Sequence, residues 1–581
     1  MQEKKLTGYP SIDRPWLKYY SEEAINAPLP ECTIYEYLRA KNEDNMEHTA
    51  LQYYGSSISF QRLFATVDCV ADALLRMGVA AGDTVTIAMI NQPEAIYLML
   101  ALNKIGAVAN FVFGGATTDE LKYQMINSQS NIVFTADLFA NGFCSIAKEA
   151  NIHKIILVPL TQSMSAPYRL AIKLTKKQPA PKASKIENVL NWKQFLNSGQ
   201  GASTNIAVAH DADAVAFITY TGGTTGGSKG VMLTNKAALA VAEQYMRGEL
   251  ELRRESTWLQ IIPFFTAYGV TCSLIIPMAV GMTLIIRMPL METLLQLFKK
   301  FKPNHIVGGP AVWESFADEN APLDLSDLIA PISGGDTLRA TAETKVNAYL
   351  ERRGCRYSLM NGYGMTEVGA AVSCNFKDKY EFGSVGAPFV KNIIAAFDVE
   401  TGEELPYDEE GEICICTPSM MLGYAANPTE TENILRTHAD GKTWVHSGDL
   451  GYISPNGFVH ISGRLKRYTM TYTNGIAKKI FSLDVERALL QHKCVSNCAV
   501  VPMPDKEKNQ VPAAFIISKD AGFDQTRRCE ELGAYCEKAL HKLYCPAKYF
   551  FVDSFPRTKL GKVDYLALER MAAEAQKCRE A

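Results

Sequence analysis

Histidine is scarce in this chain, and paired cysteine motifs are missing. Nine histidines are spread over 581 residues, and the fourteen cysteines show no disulfide-like density. Cys414 and Cys416 stand too close for an ordinary bridge or a zinc knuckle. Cys494 and Cys498 lack a second pair at metal spacing. No structural zinc is expected, and the thiols read as reduced and mostly buried, the state of a cytoplasmic protein. An excess of one charge is lacking too: 59 basic and 62 acidic side chains leave a net charge of −3. That balance asks for no nucleic acid and no acidic partner. The N-terminal MQEKKLTGYPSIDRPW has no apolar h-region, so it does not read as a secretory signal. The most apolar stretch, Val270 to Ile286, is broken by Pro277 and Gly281 and is short for a membrane span. It reads as a buried helix and strand. No internal repeat or coiled-coil heptad occurs, and nothing in the sequence fixes an oligomeric state.

What the chain does have is ample apolar content, 47%, and a length worth several domain-sized units. From about Thr49 to Thr135, short apolar runs alternate with helical stretches. TVTIAMI after Gly82–Asp83 predicts a buried strand. A helix follows from about Pro93 and ends at Gly106, and AVANFVF is the next strand. Thr117 and Glu120 form a capping box for another helix. Such alternation predicts a mostly parallel sheet of the α/β class. Residues from about 160 to 200 break the pattern and read as a solvated surface insertion. This part carries a basic run, Arg169, Lys173, Lys176, Lys177, Lys182 and Lys185, with no acid before Glu187. Segment 169–185 is therefore a candidate for weak contact with an anionic membrane surface. Alternation resumes at Ala214 and runs past Met360. Residues from about 392 to 452 read as a β-rich subdomain. After Lys466 comes a smaller α+β unit with strands CAVVPM and AAFIIS and a helix from about Asp524 to Tyr544.

The most informative stretch is VAFITY-TGGTTGGSKG-VMLT. A strand from Val215 to Tyr220 runs into five glycines, three threonines, a serine and a lysine, and a second strand, Val231 to Leu233, follows. Glycines let successive N–H groups turn toward one anion. The hydroxyls of Thr221, Thr224, Thr225 and Ser228 add donors, and Lys229 adds a full charge. That inventory suits a polyphosphate. It is not a Walker loop, because Ser228 and Gly230 flank the lysine, and it does not match GxGxxG.

The loop resembles the phosphate loop of the adenylate-forming superfamily, which includes acyl-CoA synthetases, luciferases and adenylation domains. The family pattern is roughly [YF]TSGTTGxPKG. Here Gly222 replaces Ser, and Gly227–Ser228 replace x-Pro, a variant familiar among fatty acyl-CoA ligases. Further motifs follow in the family's order. Pro263–Gly269 resembles the PxxHxxG segment, with Thr266 at the His position and Phe264, Phe265 and Thr266 implied in the acyl pocket. Ser333-Gly334-Gly335-Asp336 resembles the loop that lies against adenine. Asn361-Gly362-Tyr363-Gly364-Met365-Thr366-Glu367 matches the YGxTE core. The resemblance gives adenine to Tyr363, phosphate to Thr366, and Mg²⁺, an oxygen-seeking ion, to Glu367. Ser447-Gly448-Asp449 resembles TGD, with Asp449 for the ribose. Gly463-Arg464-Leu465-Lys466 resembles GRxK, with Arg464 at ribose or phosphate and Lys466 at the hinge. Phe555–Lys562 resembles the C-terminal PxTxxGK motif, with Lys562 catalytic together with Thr366 and Glu367.

By this resemblance, Thr221 to Gly226 (Gly222, Gly223, Thr224, Thr225), Lys229, Gly334, Gly335, Asp336, Asn361, Gly362, Tyr363, Gly364, Asp449 and Arg464 bind the nucleotide. The implied fold is a large N-terminal domain, 1–465, of stacked αβαβα layers with a β-rich subdomain. A small mobile α+β domain, 466–581, follows. The implied reaction uses ATP, Mg²⁺ and coenzyme A to turn a carboxylic acid, here a fatty acid, into a thioester through acyl-AMP. One departure stands out. Between Lys466 and Glu486 the chain reads RYTMTYTNGIAKKIFSLDV, longer than the family segment, with Asn474-Gly475 at a hairpin tip where the pantetheine path is expected. Two rival readings share the motifs: loading of a separate carrier protein, and a non-catalytic nucleotide-binding protein. The second predicts loss of Lys562, Glu367 or Asp449, and all three are present.

Overall fold

The computed structural model describes residues 6–175, 188–198, 209–222, 228–248, 251–287, 293–377, 379–465, 467–473, 476–520, 522–558 and 562–580. Two large, mostly parallel sheets form the body. The first has eight strands in the order Gly423–Tyr424, Ser228–Thr234, Val215–Gly222, Val108–Phe111, Thr84–Ala88, Ile132–Ala136, Lys154–Val158 and Val189–Asn191. The second has nine and runs from Ala387–Pro388 through Met360–Tyr363, Ala330–Ser333 and His305–Gly308 to Thr49–Tyr53 and Ser56–Ser59.

Helix burial shows how the sheets stack. Pro93–Lys104 is buried at every position, and Asn235–Met246 at nearly every one. A helix apolar all round needs cover on all sides. These two form the middle layer, in one core with residues from both sheets, such as Phe111, Phe217, Trp258 and Leu284. Thr118–Asn127 and Ala140–Ile146 cover the outer face of the first sheet. Leu294–Phe301, Pro310–Asp318 and Ala340–Arg352 cover that of the second. The result is the five-layer α/β body expected from the sequence.

Local signals explain the boundaries. Pro93 fits the first helical turn, where its missing N–H is no loss. Gly106, at φ +76°, turns the chain after the helix in a conformation that L side chains avoid. The Thr117 hydroxyl accepts the Glu120 amide at 3.3 Å, capping Thr118–Asn127. The Val270–Ile286 stretch forms a π-helix, Tyr268–Ile275, a short helix, Ile276–Val280, and the buried strand Thr283–Ile286. Among the described residues, no helix is long and apolar enough to cross a membrane.

Two expectations need correction. The segment from 160 to 200 is not only a solvated insertion. Val189–Asn191 extends the first sheet at Lys154–Val158, and Trp192 and Phe195 bury against Phe134. Aromatic packing outweighs the polar composition around it. The helix expected from about Asp524 to Tyr544 is shorter, Gln525–Ala539; Leu540 is extended, and Lys542–Tyr544 is a separate single turn before strand Lys548–Phe551 and the last helix, Tyr565–Glu580.

Beyond the body, Ile393–Phe397, Gly411–Cys416, Thr443–Ile453, Leu435–Thr437 and Val459–Arg464 make the antiparallel β-rich subdomain. The last sheet uses only residues after Lys466: Ile476–Phe481, Tyr468–Thr473, Asn509–Ser518, Val495–Asp505 and Lys548–Phe551. Thr473 pairs with Ile476, so the hairpin is present, while Asn474 and Gly475 lie outside the described residues. Arg467, next to the expected hinge, is held by Glu486 and lies 3.7 Å from the centre of the Tyr565 ring.

Candidate functional site

The phosphate loop is the tip of an antiparallel hairpin in which Thr221 pairs with Lys229 and Gly222 with Ser228. Gly223, Thr224, Thr225 and Gly226 lie outside the described residues, as does Lys466. Gly230 is required by close packing: a Cβ there would meet Asn127 Oδ1 at 2.9 Å and the Tyr220 ring at 3.1 Å. Lys229 is ion-paired with Glu430, and its Nζ lies 5.1 Å from the Tyr424 ring centroid. Neither partner was singled out from the sequence.

Strand Met360–Tyr363 leads into the turn that carries Gly364, Thr366 and Glu367. A Cβ on Gly364 would come within 1.7 Å of the Ala370 carbonyl oxygen, so only glycine fits. Asn361 is buried and donates to the Ser384 carbonyl at 3.1 Å. Gly362 faces the Ser373 carbonyl. Tyr363 donates to Asp449 Oδ2 at 2.6 Å, and Arg464 Nε lies 2.7 Å from Asp449 Oδ1. Asp449 and Arg464 are cross-strand partners, which explains how two separated motifs meet. Burial raises the Asp449 carboxyl pKa against the pull of Arg464. Burial also pushes the Tyr363 hydroxyl far up, and the adjacent Asp449 charge adds to this.

Glu367 is 6% exposed and accepts from Tyr424 Oη at 2.8 Å through Oε1. Burial raises its pKa, and Tyr424, Arg464 and Lys229 oppose the rise. Its carboxylate supplies the hard oxygen that Mg²⁺ prefers, so the residue type at this position fits the expected metal role.

Gly334 and Gly335 follow strand Ala330–Ser333; Gly334 donates to the Gly308 carbonyl at 3.0 Å, and Gly335 sits at φ +85°. Asp336 is exposed at this edge. Lys562, from the C-terminal unit, lies near enough to feel its charge. The Lys562 ammonium is crowded by protein yet keeps contact with solvent. Burial lowers its pKa, and it feels the charges of Asp336, Arg464, Asp449 and Glu367. Motifs more than 200 residues apart thus converge on one cleft.

The acyl-pocket candidates divide. Phe264 is 2% exposed and belongs to the core. Phe265 is partly exposed, with its ring 5.1 Å from that of Phe113. The Thr266 hydroxyl is tied into the local turn: it donates to Pro263 O at 2.8 Å and accepts from Gly269 N at 3.0 Å. Gly269 is dictated by the same turn, since a Cβ would come within 2.0 Å of Pro263 O. The π-helix that starts here is a form frequent at functional sites.

Sequence reasoning also missed a support behind Asp449. Glu412 accepts the Gly448 amide at 3.0 Å through Oε1, and its Oε2 lies 2.8 Å from His446 Nδ1. His446 Nε2 is in turn 2.9 Å from His438 Nε2. Gly448 stands at φ +69°. This chain braces the irregular stretch of strand Thr443–Ile453 from which Asp449 projects. Its one sequence signal is that His446 lies three positions before Asp449.

Comparison with known proteins agrees with this geometry. The model of the AMP-binding enzyme family matches residues 38–425, and that of the AMP-binding enzyme C-terminal domain matches 484–562. A long-chain-fatty-acid–CoA ligase of Bacillus subtilis (strain 168) is 27% identical over 95% of this chain and 96% of its own length. 4-Coumarate–CoA ligase 1 of Petroselinum crispum is 28% identical over 88% of each chain. The ATP-bound structure of MatB from Rhodopseudomonas palustris superposes with a TM-score of 0.76 at 23% identity, covering 92% of this chain and 98% of that one. The chain belongs to the AMP-binding enzyme family, the adenylate-forming enzymes.

Proposed function

We propose that this protein is an AMP-forming acid–thiol ligase that activates a fatty acid as acyl-AMP and passes the acyl group to coenzyme A. The observation that carries the reading is the joining of three separate motifs at Asp449, which Tyr363 bonds at 2.6 Å and Arg464 pairs at 2.7 Å, within reach of the Lys562 charge. In the first half-reaction, a carboxylate oxygen of the acid attacks the α-phosphorus of ATP. The bond to the bridging oxygen breaks, and pyrophosphate leaves. Asp449 accepts from the ribose hydroxyls with the lone pairs that Tyr363 and Arg464 leave over. Lys229 exchanges Glu430 for phosphate oxygens. Thr366 donates to the α-phosphate. Lys562 neutralises charge that builds between the carboxylate and the α-phosphate, where a preorganised cation acts most strongly. Glu367 would hold Mg²⁺, which when bound offsets phosphate charge. In the second half-reaction, the thiol sulfur attacks the acyl carbon, its proton is released, and AMP departs with the oxygen. Residues 1–465 and 466–581 act as two bodies about Lys466, so that Lys562 serves the first step and withdraws for the second.

The loop variant and the Bacillus relative support a fatty acid. An aromatic acid is the second reading, favoured by the Petroselinum relative and by the Phe113–Phe265 ring pair. Pyrophosphate release across acids of varied length and aromaticity, with and without coenzyme A, tests both. Turnover with aliphatic chains that depends on coenzyme A is expected. Turnover confined to aryl acids selects the second reading, and turnover that ignores coenzyme A for every acid overturns the thioester step.

A further inference from the structure

Helix Ala166–Thr175 presents two rows of side chains at i, i+4 spacing. Tyr168 and Ile172 face inward and pack against the main core. Leu170 and Leu174 face outward and are 59% and 79% exposed. Arg169 lies beside the leucines and is exposed. The inward row already satisfies the fold, so folding alone does not account for two bare leucines one turn apart. More positive charge gathers at the same rim. Lys300, near the end of the neighbouring helix Leu294–Phe301, donates to Tyr168 Oη at 3.3 Å, and exposed Lys299 precedes it. The sequence carries no acid between Glu149 and Glu187.

We propose that this helix is a docking surface for an anionic lipid bilayer. A row of leucines beside the cations Arg169, Lys299 and Lys300 matches the two layers of a membrane interface. The leucines enter the acyl boundary, while the cations reach the lipid phosphates. A purely apolar partner would not select the flanking cations, and an acidic soluble partner would not select the leucines. Two leucines and a few cations give weak, reversible attachment, suited to an enzyme that works at the surface and leaves it. The inference stands independently of the ligase reading.

Flotation of the full chain with vesicles tests it. Binding is expected to vesicles of phosphatidylcholine mixed with phosphatidylglycerol and not to phosphatidylcholine alone, and it should weaken as salt is raised. The double variant Leu170→Glu, Leu174→Glu should weaken binding by about tenfold or more, and Arg169→Glu by roughly fivefold. ATP–pyrophosphate exchange with a water-soluble acid should be unchanged in both, which shows that the fold survives. If the double variant loses exchange, Arg169→Glu alone decides. Equal recovery with neutral and anionic vesicles overturns the proposal, as does unchanged binding in the variants. Concentration-dependent self-association that the double variant abolishes, without vesicle binding, would instead give this face to a second copy of the chain.

Discussion

Lys562 and Lys229 are both lysines in glycine-bearing loops, yet their surroundings set them different tasks. Lys562 is destabilised as a cation by burial and has no ion pair of its own among the described contacts. A partly desolvated ammonium held near these charged groups can respond to charge that appears only in the transition state. Lys562→Ala should lower ATP–pyrophosphate exchange by about a hundredfold or more, the scale of losing one preorganised donor. Thioester formation from supplied acyl-AMP should be largely spared. Full exchange in that variant would remove Lys562 from the chemistry. Lys229 instead begins on Glu430 and has to change partners. Glu430→Gln should therefore lower the KM for ATP, as steady-state kinetics would show. The two lysines stood out in the sequence because each sits among glycines and hydroxyl residues. Glu430 was not, since it lies 201 positions from Lys229 and follows an unremarkable Asn-Pro-Thr. Tyr424 and Glu412 were hidden in the same way. A lone Tyr or Glu acquires meaning only from what the fold brings beside it.

Single elements carry their own tests. The turn after Tyr363 needs glycine because the chain doubles back onto the Ala370 carbonyl. Gly364→Ala should lower stability by about 3 kcal/mol and reduce exchange, measured by chemical denaturation and by exchange in parallel. Helix Pro93–Lys104 was placed correctly from its proline and glycine ends, but its full burial was not read, because an all-round apolar helix and a buried strand look alike in composition. One consequence of that burial is Glu94. It is 1% exposed, is bonded by the Ser163 hydroxyl at 2.5 Å and by Gln92 Nε2 at 3.2 Å, and has its pKa pushed up by burial to about 7. The protonated form is the one the fold prefers. Its contribution is fully present below the unfolded value near 4.5 and is lost as pH rises through about 7. Glu94→Gln should therefore gain on the parent chain as pH rises across that window, by up to about 3 kcal/mol. Denaturation series at several pH values check this, and a difference independent of pH would refute it.

At the scale of the whole molecule, the fold class and motif order were legible because strands and helices alternate strongly and each motif keeps its residues close together. Periodicity alone could not give the stacking of two sheets on a shared helical layer, which came from the family resemblance, because periodicity says which face is apolar and not what covers it. Nor could it give the edge strand Val189–Asn191, whose anchor, Trp192 and Phe195, lies in an otherwise polar stretch. The small unit after Lys466 is internally braced by Arg467, Glu486 and Tyr565, so it should turn as a rigid piece. A fluorophore pair with one label on each side of Lys466 should change its transfer efficiency when coenzyme A is added to enzyme carrying acyl-AMP. An unchanged signal would argue against a domain switch.

The ion pair between Lys229 and Glu430 means that the loop carries its own competitor. An incoming anion has to displace a tethered carboxylate whose effective concentration is high and fixed by the fold. A single small anion in the surrounding solution, with one modest charge, competes poorly against it. A triphosphate brings several charges at once and engages the rest of the cleft, so it can win the exchange. On the proposed function, the pair would act as a threshold, set by geometry, that screens solutes by the number of charges they deliver together. When pyrophosphate departs, the carboxylate is already at hand to retake the lysine, and the loop returns to rest without waiting for another ligand.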